Sequence, residues 1–325
     1  MNTVATERVL RLAMAAGLGG VIMVGIGCDS GSDVGATAGD GGVATAEAAS
    51  DAFVVQTVNY PLAYFAERIS GGHCQIEFLA PADGDPAFWM PDRDSIVRLQ
   101  SADLILANGA TYAKWMGGVS LPTSKIVDTS ASFASAYIEV EDSVVHSHGV
   151  GGEHSHGGTA FTTWLDMTQA RAQAEAVRDA LIEGHGEHAD DFRANADALL
   201  ADIDALDAEL VAAGESLAGT PLIGSHPVYQ YLSRRYGLSL EALHWEPEMT
   251  ITEENLAELA ELREGHAAGW MVWEGEPTAE AVAVLEGIGV RSVVFDPAGN
   301  RPDDGDWLSV MRANVEALRS VAEGG

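Results

Sequence analysis

Basic residues are scarce in this sequence. It contains 17 lysines and arginines against 49 aspartates and glutamates, which gives a formal net charge of -32 at pH 7. Because nucleic-acid binding needs clustered Lys and Arg to neutralise phosphates, this composition argues against a nucleic-acid partner. Cations are the natural small partners of such a chain. Salt screens the general acidic field beyond about 8 Å, so a cation site must still be built from specific ligands.

Cysteine is nearly absent as well, and the common catalytic motifs are missing. The two cysteines are Cys28 and Cys74, and since the N-terminal pattern described below uses Cys28, an internal disulfide is excluded.

The sequence has no G-x-S-x-G, no H-E-x-x-H and no P-loop, which favours a binding protein over an enzyme. With 325 residues, 47% of them hydrophobic, the chain can form two domains with their own cores.

The N-terminus has the pattern of an export signal. Arg8 and Arg11 precede an apolar run, 12–26, that is too short for a comfortable membrane span. The run ends in GIGC, which resembles a bacterial lipobox with Cys28 as the lipidated first residue of the mature protein. Ordinary signal cleavage further along the chain is the alternative. We therefore expect an extracytoplasmic protein, periplasmic or at the cell surface, that is lipid-anchored to the cell membrane.

Short apolar runs alternate with helical patterns in both halves of the chain, as in parallel α/β units. The predicted strands begin near residues 52, 75, 103 and 125 in the first half and near 221, 238, 270 and 291 in the second. Between the halves, a three-four spacing of apolar residues predicts one amphipathic helix, about 43 Å long. Packing of its apolar stripe against both lobes is favoured over a coiled-coil dimer seam, and we expect a monomer.

The predicted fold class is α/β, with two lobes of parallel sheets flanked by helices and joined by one long α-helix. The predicted segments are a signal peptide (1–27), a flexible tether (28–51), an N-terminal lobe (52–188) that includes a His-rich loop (144–160), a connecting helix (189–217) and a C-terminal lobe (218–325). The tether is assigned from its Gly-rich, small and polar composition.

Potential metal ligands follow four predicted strands of the second half. They are His226, His244, Glu274 and Asp296. Open parallel sheets bind ligands just beyond the carboxyl ends of their strands. Each residue alone has an ordinary explanation, such as a helix cap for His226, a solvated loop for Glu274 or a turn for Asp296. Their coincidence in one lobe predicts a cluster of metal ligands.

The His-rich loop holds four of the ten histidines of the chain. They are His146, His148, His154 and His156. Imidazole is the commonest protein ligand for zinc and similar ions, and the H-x-H spacing lets two rings converge on one cation. A solvated loop has the same composition, so this stretch alone leaves both interpretations open.

Several motifs follow one another over residues 54–318: VVQTVNYPLAYFAERISGG, LQSADLILANGA, TWLD, the long helix, GSHPVYQYLSRRYGL and VVFDPAGN. In this order they resemble the zinc- and manganese-type substrate-binding lipoproteins of bacterial ABC importers. The resemblance implies a metal in the cleft between two α/β lobes. His226 and Asp296 match family ligands, but Ala87 and Thr162 stand where the family has two first-lobe histidines. We hypothesise that His154 and His156 complete the site; the alternative is a loop that only collects metal.

The resemblance also implies a function. It predicts a binding protein, without enzymatic activity, that delivers a divalent metal to the membrane subunits of an ABC importer. Imidazole ligands favour Zn²⁺, whereas carboxylates would shift the preference toward Mn²⁺ or another divalent metal. One rival is a binder of a chelated metal or small organic ligand in a cleft lined by aromatic residues, namely Phe88, Trp89, Trp245 and Trp273. A second rival is a metallohydrolase with Glu274 as general base.

Overall fold

The computed structural model describes residues 52–82, 84–140, 145–147, 153–155 and 158–324, with the backbone alone for 145–147 and 153–155. The predicted signal peptide, the lipidation site Cys28 and the tether lie outside the described residues, as do His148 and His156. Within the part of the chain that is described, no helix is both long enough and apolar enough to cross a membrane.

The first lobe is built on a four-stranded parallel sheet with the order β2-β1-β3-β4. The strands are β1 (Phe53–Thr57), β2 (Cys74–Phe78), β3 (Leu104–Ala107) and β4 (Ile126–Asp128). The helices of this lobe are α1 (Tyr60–Ser70), α2 (Arg93–Ser101) and α3 (Met167–Gly184). The Asn59 side chain caps α1 by accepting from the Leu62 amide at 3.1 Å, and Gly71, with φ of 58°, ends it in the left-handed conformation that glycine tolerates.

Two short antiparallel pairs lie in the region of the His-rich loop. β5 (Glu139–Val140) pairs with β8 (Gly158–Thr159), and β6 (Val145–Ser147) pairs with β7 (Glu153–Ser155). The backbone of His146 is opposite that of His154 in the inner pair. The outer pair closes the base of the loop, because the amide of Ala160 donates to the carbonyl of Ile138 at 2.8 Å and extends the pairing by one residue.

Helix α4 (Ala189–Ser216) joins the two lobes. Its 28 residues correspond to a length of about 42 Å. The apolar stripe that predicts this helix is buried, and it comprises Phe192, Ala196, Leu199, Ile203, Leu206, Leu210 and Ala213. The helix contacts α1 and α3 of the first lobe. It also contacts helices of the second lobe, so its stripe packs within the chain, as the sequence predicts.

The second lobe repeats the architecture of the first. Its parallel sheet has the order β10-β9-β11-β12, with β9 (Pro221–Gly224), β10 (Ser239–Ala242), β11 (Trp270–Trp273) and β12 (Arg291–Val294). The helices are α5 (Gln230–Tyr236), α6 (Glu253–Gly265), α7 (Ala279–Gly287) and α8 (Trp307–Glu323), of which α5 and α8 contact α4. Thr252 and Asp306 begin α6 and α8 with capping boxes, which satisfy the first free amides of each helix.

The main apolar core is continuous between the lobes. Phe65 of α1 and Trp307 of α8 are both buried, and their rings meet edge to face with centroids 5.1 Å apart. A smaller core of the second lobe fills the other side of its sheet, around Leu259 and Trp273. The predicted fold class, two α/β lobes joined by one long helix, is confirmed.

Candidate metal centre

Ser225, at the carboxyl end of β9, holds together the loops that follow three neighbouring strands. Its amide donates to the carbonyl of Val272 in β11 (2.8 Å), and its carbonyl accepts from the amide of Trp245 beyond β10 (2.7 Å). Its hydroxyl accepts from the amide of Glu274 beyond β11 (3.4 Å). The carboxyl ends of these strands therefore meet around one residue, where open parallel sheets bind ligands.

Three side chains converge beside Ser225. His226, Glu246 and Glu274 each place one donor atom so that all three atoms lie within 4.8 Å of one another. Nδ1 of His226 is 3.5 Å from Oε1 of Glu246 and 3.9 Å from Oε1 of Glu274. The His226 ring is buried, with 6% of its side chain exposed, while 39% of Glu246 and 22% of Glu274 remain accessible. We call these three residues the cleft cluster.

The donor set of the cleft cluster fits a zinc ion. Two ligands of a tetrahedral zinc, each about 2.0–2.1 Å from the metal, lie about 3.3 Å apart. The observed separations of 3.5 and 3.9 Å thus require only small side-chain shifts. His244 lines the same cleft, and its ring centroid is 5.8 Å from that of His226. With His244, the available donors are two imidazoles and two carboxylates.

Negative charge accumulates at the cluster. Burial, followed by the carboxylates of Glu246 and Asp85, raises the pKa of Glu274 well above its ordinary value. Burial, followed by the charges of Glu274 and Asp296, likewise raises the pKa of the Tyr229 hydroxyl well above 10. That hydroxyl donates to the carbonyl of Phe295 at 2.8 Å. A divalent cation at the cluster would offset this like-charge repulsion, which is strong because the surroundings are poorly hydrated.

Asp296 follows β12, and its charge also contributes to the raised pKa of Glu274, but it is not a member of the cleft cluster. Its Oδ1 accepts from the amide of Ala298 at 2.7 Å, and burial raises the pKa of the carboxyl, partly opposed by that hydrogen bond. Among the described residues, the groups of three donor atoms within 4.8 Å of one another do not include Asp296. A role for Asp296 as a direct metal ligand therefore stays a prediction.

Glu246 is the cluster member that the sequence reasoning missed. It stands two residues after His244, and the residue between them, Trp245, is 1% exposed and lies in the core of the second lobe. His244 and Glu246 both line the cleft. Since alternate residues of an extended segment face the same side, a buried tryptophan between two ligand-type residues was a signal that could have identified Glu246.

The first lobe forms the opposite wall of a cleft of about 1120 Å³. Asp85 lines this wall, and its Oδ1 also accepts from the amide of Ala87 at 2.8 Å. Thr162 lines it too, and its Oγ1 donates to the carbonyl of Val228 in the second lobe at 2.5 Å. Two positions differ from the family pattern. Ala87 is small and buried, and Thr162 has a hydroxyl that links the two lobes.

The aromatic residues predicted to line the cleft divide into two sets. Phe88 and Trp89 do line it. Trp245 and Trp273 instead lie in the smaller core of the second lobe, at 1% and 0% exposure, with ring centroids 6.4 Å apart. Large apolar side chains at the ends of strands bury more apolar surface against α6 and α7 than they could at a cleft wall.

Residues on both sides of the histidines of the His-rich loop line the cleft. They are Val140 of β5 and Thr159 of β8, the two strands that pair at the base of the loop. His154 lies in β7, whose side chains are outside the described structure, and His156 lies outside the described residues altogether. His156 is three residues from Thr159, a reach of at most about 11 Å. The placement is compatible with the predicted ligand role of these histidines, which stays a prediction.

The fold and the cluster together define a two-lobed α/β protein with a candidate metal centre in the interlobe cleft. A family model described as "Zinc-uptake complex component A periplasmic" (ZnuA) matches residues 54–321, and the chain belongs to this family.

Individual relatives agree with this assignment. The chain is 23% identical over 288 residues to "Zinc-binding protein AdcA" of Streptococcus pyogenes serotype M3, covering 83% of this chain and 56% of that protein. The chain thus spans little more than half the length of such relatives. Its fold is similar to the Zn(II)-bound ZnuA-like domain of Streptococcus pneumoniae AdcA (TM-score 0.69, 21% identity, 84% of this chain and 99% of that one). It is also similar to the metal-dependent lipoprotein YcdH of Bacillus subtilis (TM-score 0.70, 19% identity, 82% and 98%).

Proposed function

We propose that this chain is the extracytoplasmic substrate-binding protein of an ABC importer. It captures a divalent metal ion, zinc in the first place, and delivers the ion to the membrane subunits of the importer. The observation that carries this proposal is the cleft cluster, in which His226, Glu246 and Glu274 converge at separations close to those of zinc ligands. The name of the relative from Streptococcus pyogenes, a zinc-binding protein, supports the choice of metal.

The remaining parts of the proposal concern location and partners. The lipobox-like GIGC at 25–28 supports a lipid anchor on Cys28, which would keep the protein at the membrane near its importer. A monomer is consistent with the burial of the α4 stripe within the chain. The protein is proposed to have no enzymatic activity, because a carrier needs only to bind and release its ion.

The choice between zinc and manganese depends on how many imidazoles bind. Imidazole ligands suit zinc, and carboxylates suit manganese. The cleft cluster alone supplies one imidazole and two carboxylates, and His244 adds a second ring. Binding of His154 and His156 would shift the site further toward zinc.

Metal titration with matched variants tests the proposal. Zinc and manganese are each titrated into the protein in competition with a chelator of known affinity. His226→Ala and Glu246→Gln should weaken zinc binding by about 100-fold or more, because even residues that only support ligands contribute about 10–100-fold. Glu248→Gln is the control, since Glu248 lines the cleft in the same loop but lies outside the cluster. Unchanged zinc affinity in both cluster variants would remove this site from consideration.

The size of the cleft favours a second candidate, the binding of a chelated metal or a small organic ligand. A volume of about 1120 Å³ far exceeds what a bare ion occupies and matches pockets for small molecules, which measure about 300–1,000 Å³. Phe88, Trp89 and Tyr112 add aromatic surface to it. A zinc chelate that binds more tightly than free zinc, and is weakened by Trp89→Ala, would favour this candidate over capture of the free ion.

A further inference from the structure

A second group of histidines lies on the first lobe, away from the cleft. Among the described residues, two further sets of three donor atoms lie within 4.8 Å of one another: His73, His188 and Asp191, and His185, Glu187 and His188. We name these five residues the His188 cluster. We propose that it is a second binding site for a divalent transition-metal ion, zinc in the first place, independent of the site in the cleft.

Two segments far apart in sequence build the cluster. His73 follows two glycines that end α1, Gly71 (φ 58°) and Gly72 (φ 92°), and its amide donates to the carbonyl of Ser70 at 3.0 Å. The positive φ angles favour glycine, and they turn the chain sharply before β2. This turn presents the His73 ring to the corner between α3 and α4, more than a hundred residues further along the chain.

The corner between α3 and α4 supplies the other donors. His185 is the C-cap of α3, and the amide of His188 donates to the carbonyl of His185 at 3.3 Å in a tight turn. Asp191 lies in the first turn of α4. Phe192, which is completely buried, lies beneath all three imidazoles, with ring centroids 6.1–6.3 Å away.

Contacts within the cluster bring imidazoles and carboxylates together. Nε2 of His73 is 3.1 Å from Oδ2 of Asp191. Oε1 of Glu187 is 3.5 Å from Nε2 of His188 and 3.7 Å from Nε2 of His185. The side chains of the three histidines are between 21% and 34% exposed, so an ion can reach them from solvent while Phe192 covers the inner side.

The position of the cluster separates it from the cleft. His73 directly precedes β2, and the His185 ring stacks on Phe53, the first residue of β1, with centroids 5.0 Å apart. The cluster therefore lies at the amino ends of the parallel strands of the first sheet. The cleft lies beyond the carboxyl ends, so one ion cannot be shared between the two places.

Donor chemistry selects the class of ion. Imidazole nitrogens with carboxylate oxygens suit zinc, copper or nickel, whereas calcium and magnesium take oxygen ligands. The rings of His73 and His188 are stacked, with centroids 3.8 Å apart and planes 13° from parallel. Two stacked rings cannot both direct a nitrogen at one ion, so binding must rotate one ring out of the stack.

The test uses a background variant, called the starting chain, that lacks five imidazoles outside this cluster. Its substitutions are His226→Ala, His146→Ala, His148→Ala, His154→Ala and His156→Ala. The starting chain is titrated with zinc in competition with a chelator. We expect one zinc ion per chain to remain bound. Adding His73→Phe and His188→Phe, which keep two stacked rings but no ring nitrogens, should weaken this binding by about 100-fold or more. Asp191→Asn, which replaces an exposed carboxylate with little risk to folding, should weaken it by about tenfold or more.

Two results would overturn the proposal: no bound zinc in the starting chain, or zinc binding that survives both phenylalanine substitutions. The reciprocal variant carries only His73→Phe and His188→Phe and should keep one zinc in the cleft. Loss of that zinc alone would count against the function proposed for the cleft, so the two sites are judged by separate measurements.

Discussion

At the scale of single residues, the negative charge of Glu274 is unfavourable for the stability of the metal-free protein but favourable for metal binding. Burial and nearby carboxylates disfavour its charged form in the metal-free protein, which is why its pKa is raised. The same carboxylate is needed in its charged form to hold a metal ion. If Glu274 ligates the ion as proposed, the bound cation would reverse the local electrostatics, and the residue that weakens the metal-free protein would stabilise the loaded one.

This conflict predicts a pH dependence of stability. Above its ordinary pKa, near 4.5, Glu274 loses its proton in the unfolded chain but keeps it in the folded protein until the raised pKa is reached. The unfolded state then binds fewer protons, so the free energy of unfolding of the metal-free protein falls as pH rises through this window. Glu274→Gln should flatten that fall, raise the melting temperature of the metal-free protein at pH 7 and abolish its stabilisation by zinc. Thermal melts from pH 4 to 8 with a chelator, and again with zinc, measure all three effects.

The control for this prediction is Glu248→Gln, which changes an exposed carboxyl in the same cleft whose charge ranks last among the causes of the raised pKa of Glu274. It should leave the melting temperature and its pH profile nearly unchanged. A profile for Glu274→Gln that equals that of the unchanged protein would show that Glu274 is not held neutral. Burial also raises the pKa of Asp296, so part of the fall with pH should persist in Glu274→Gln.

At the scale of elements, the sheets were predictable and the loops between them were not. Runs such as LILA at 104–107 and WMVW at 270–273 are apolar throughout because strands of a parallel sheet are covered on both faces. The α4 stripe was equally clear, since its three-four spacing extends over about six turns. These signals are local, so they can be read without knowing the rest of the fold.

The candidate site was predictable only in part, because only some of its residues lie beside a local sequence signal. His226 and Glu274 directly follow strands, and the carboxyl ends of parallel strands meet at one edge. Glu246 lies in an irregular loop whose course is set by the Ser225 hydrogen bonds, so its one sequence signal is its alternation with His244 around the apolar Trp245. The contact between His73 and Asp191 joins residues 118 positions apart, so it depends on how α1 packs against α4.

The His-rich loop is the element whose role most needs a direct test. If His154 and His156 complete the metal site, replacing both with Ala should weaken zinc binding by about 100-fold or more, and the remaining affinity should respond less steeply to acid below pH 6.5, where imidazoles protonate. A loop that only collects metal would lose stoichiometry or capture rate and keep its tight site. Chelator competition at pH 5.5 and pH 7.5 distinguishes the two outcomes.

A matched variant within the same loop serves as the control. His146→Ala with His148→Ala removes the same number of imidazoles from the other side of the loop, since His146 is opposite His154 in the hairpin. His146 is six residues from Val140 and His154 is five residues from Thr159, and both of these residues line the cleft, so the two variants are matched in their distance along the chain from it. Equal losses of affinity in the two double variants would argue for a general effect of histidine number and against specific ligation by His154 and His156.

At the scale of the whole molecule, several contacts besides α4 hold the lobes together. The loop after β12 lies against the first lobe, where the indole of Trp164 donates to the carbonyl of Pro297 (2.7 Å) and the amide of Tyr60 to that of Gly299 (3.0 Å). The side-chain amide of Asn300 donates to three carbonyls of the first lobe, those of Pro81, Ala82 and Gly84. A continuous helix bends much less than a pair of loop hinges, so we expect little lobe motion when metal binds.

Asn300 provides the test of this expectation. In the unchanged protein the radius of gyration from small-angle X-ray scattering should be the same with zinc and with a chelator. Asn300→Ala removes the three hydrogen bonds to the first lobe and should lower the free energy of unfolding by about 1–2 kcal/mol. It should also let the metal-free radius of gyration increase and return on zinc addition. Gln100→Ala, which removes a hydrogen bond to Ser120 inside the first lobe, should change neither radius. A clear contraction of the unchanged protein on zinc addition would instead show that α4 and these contacts allow the cleft to close.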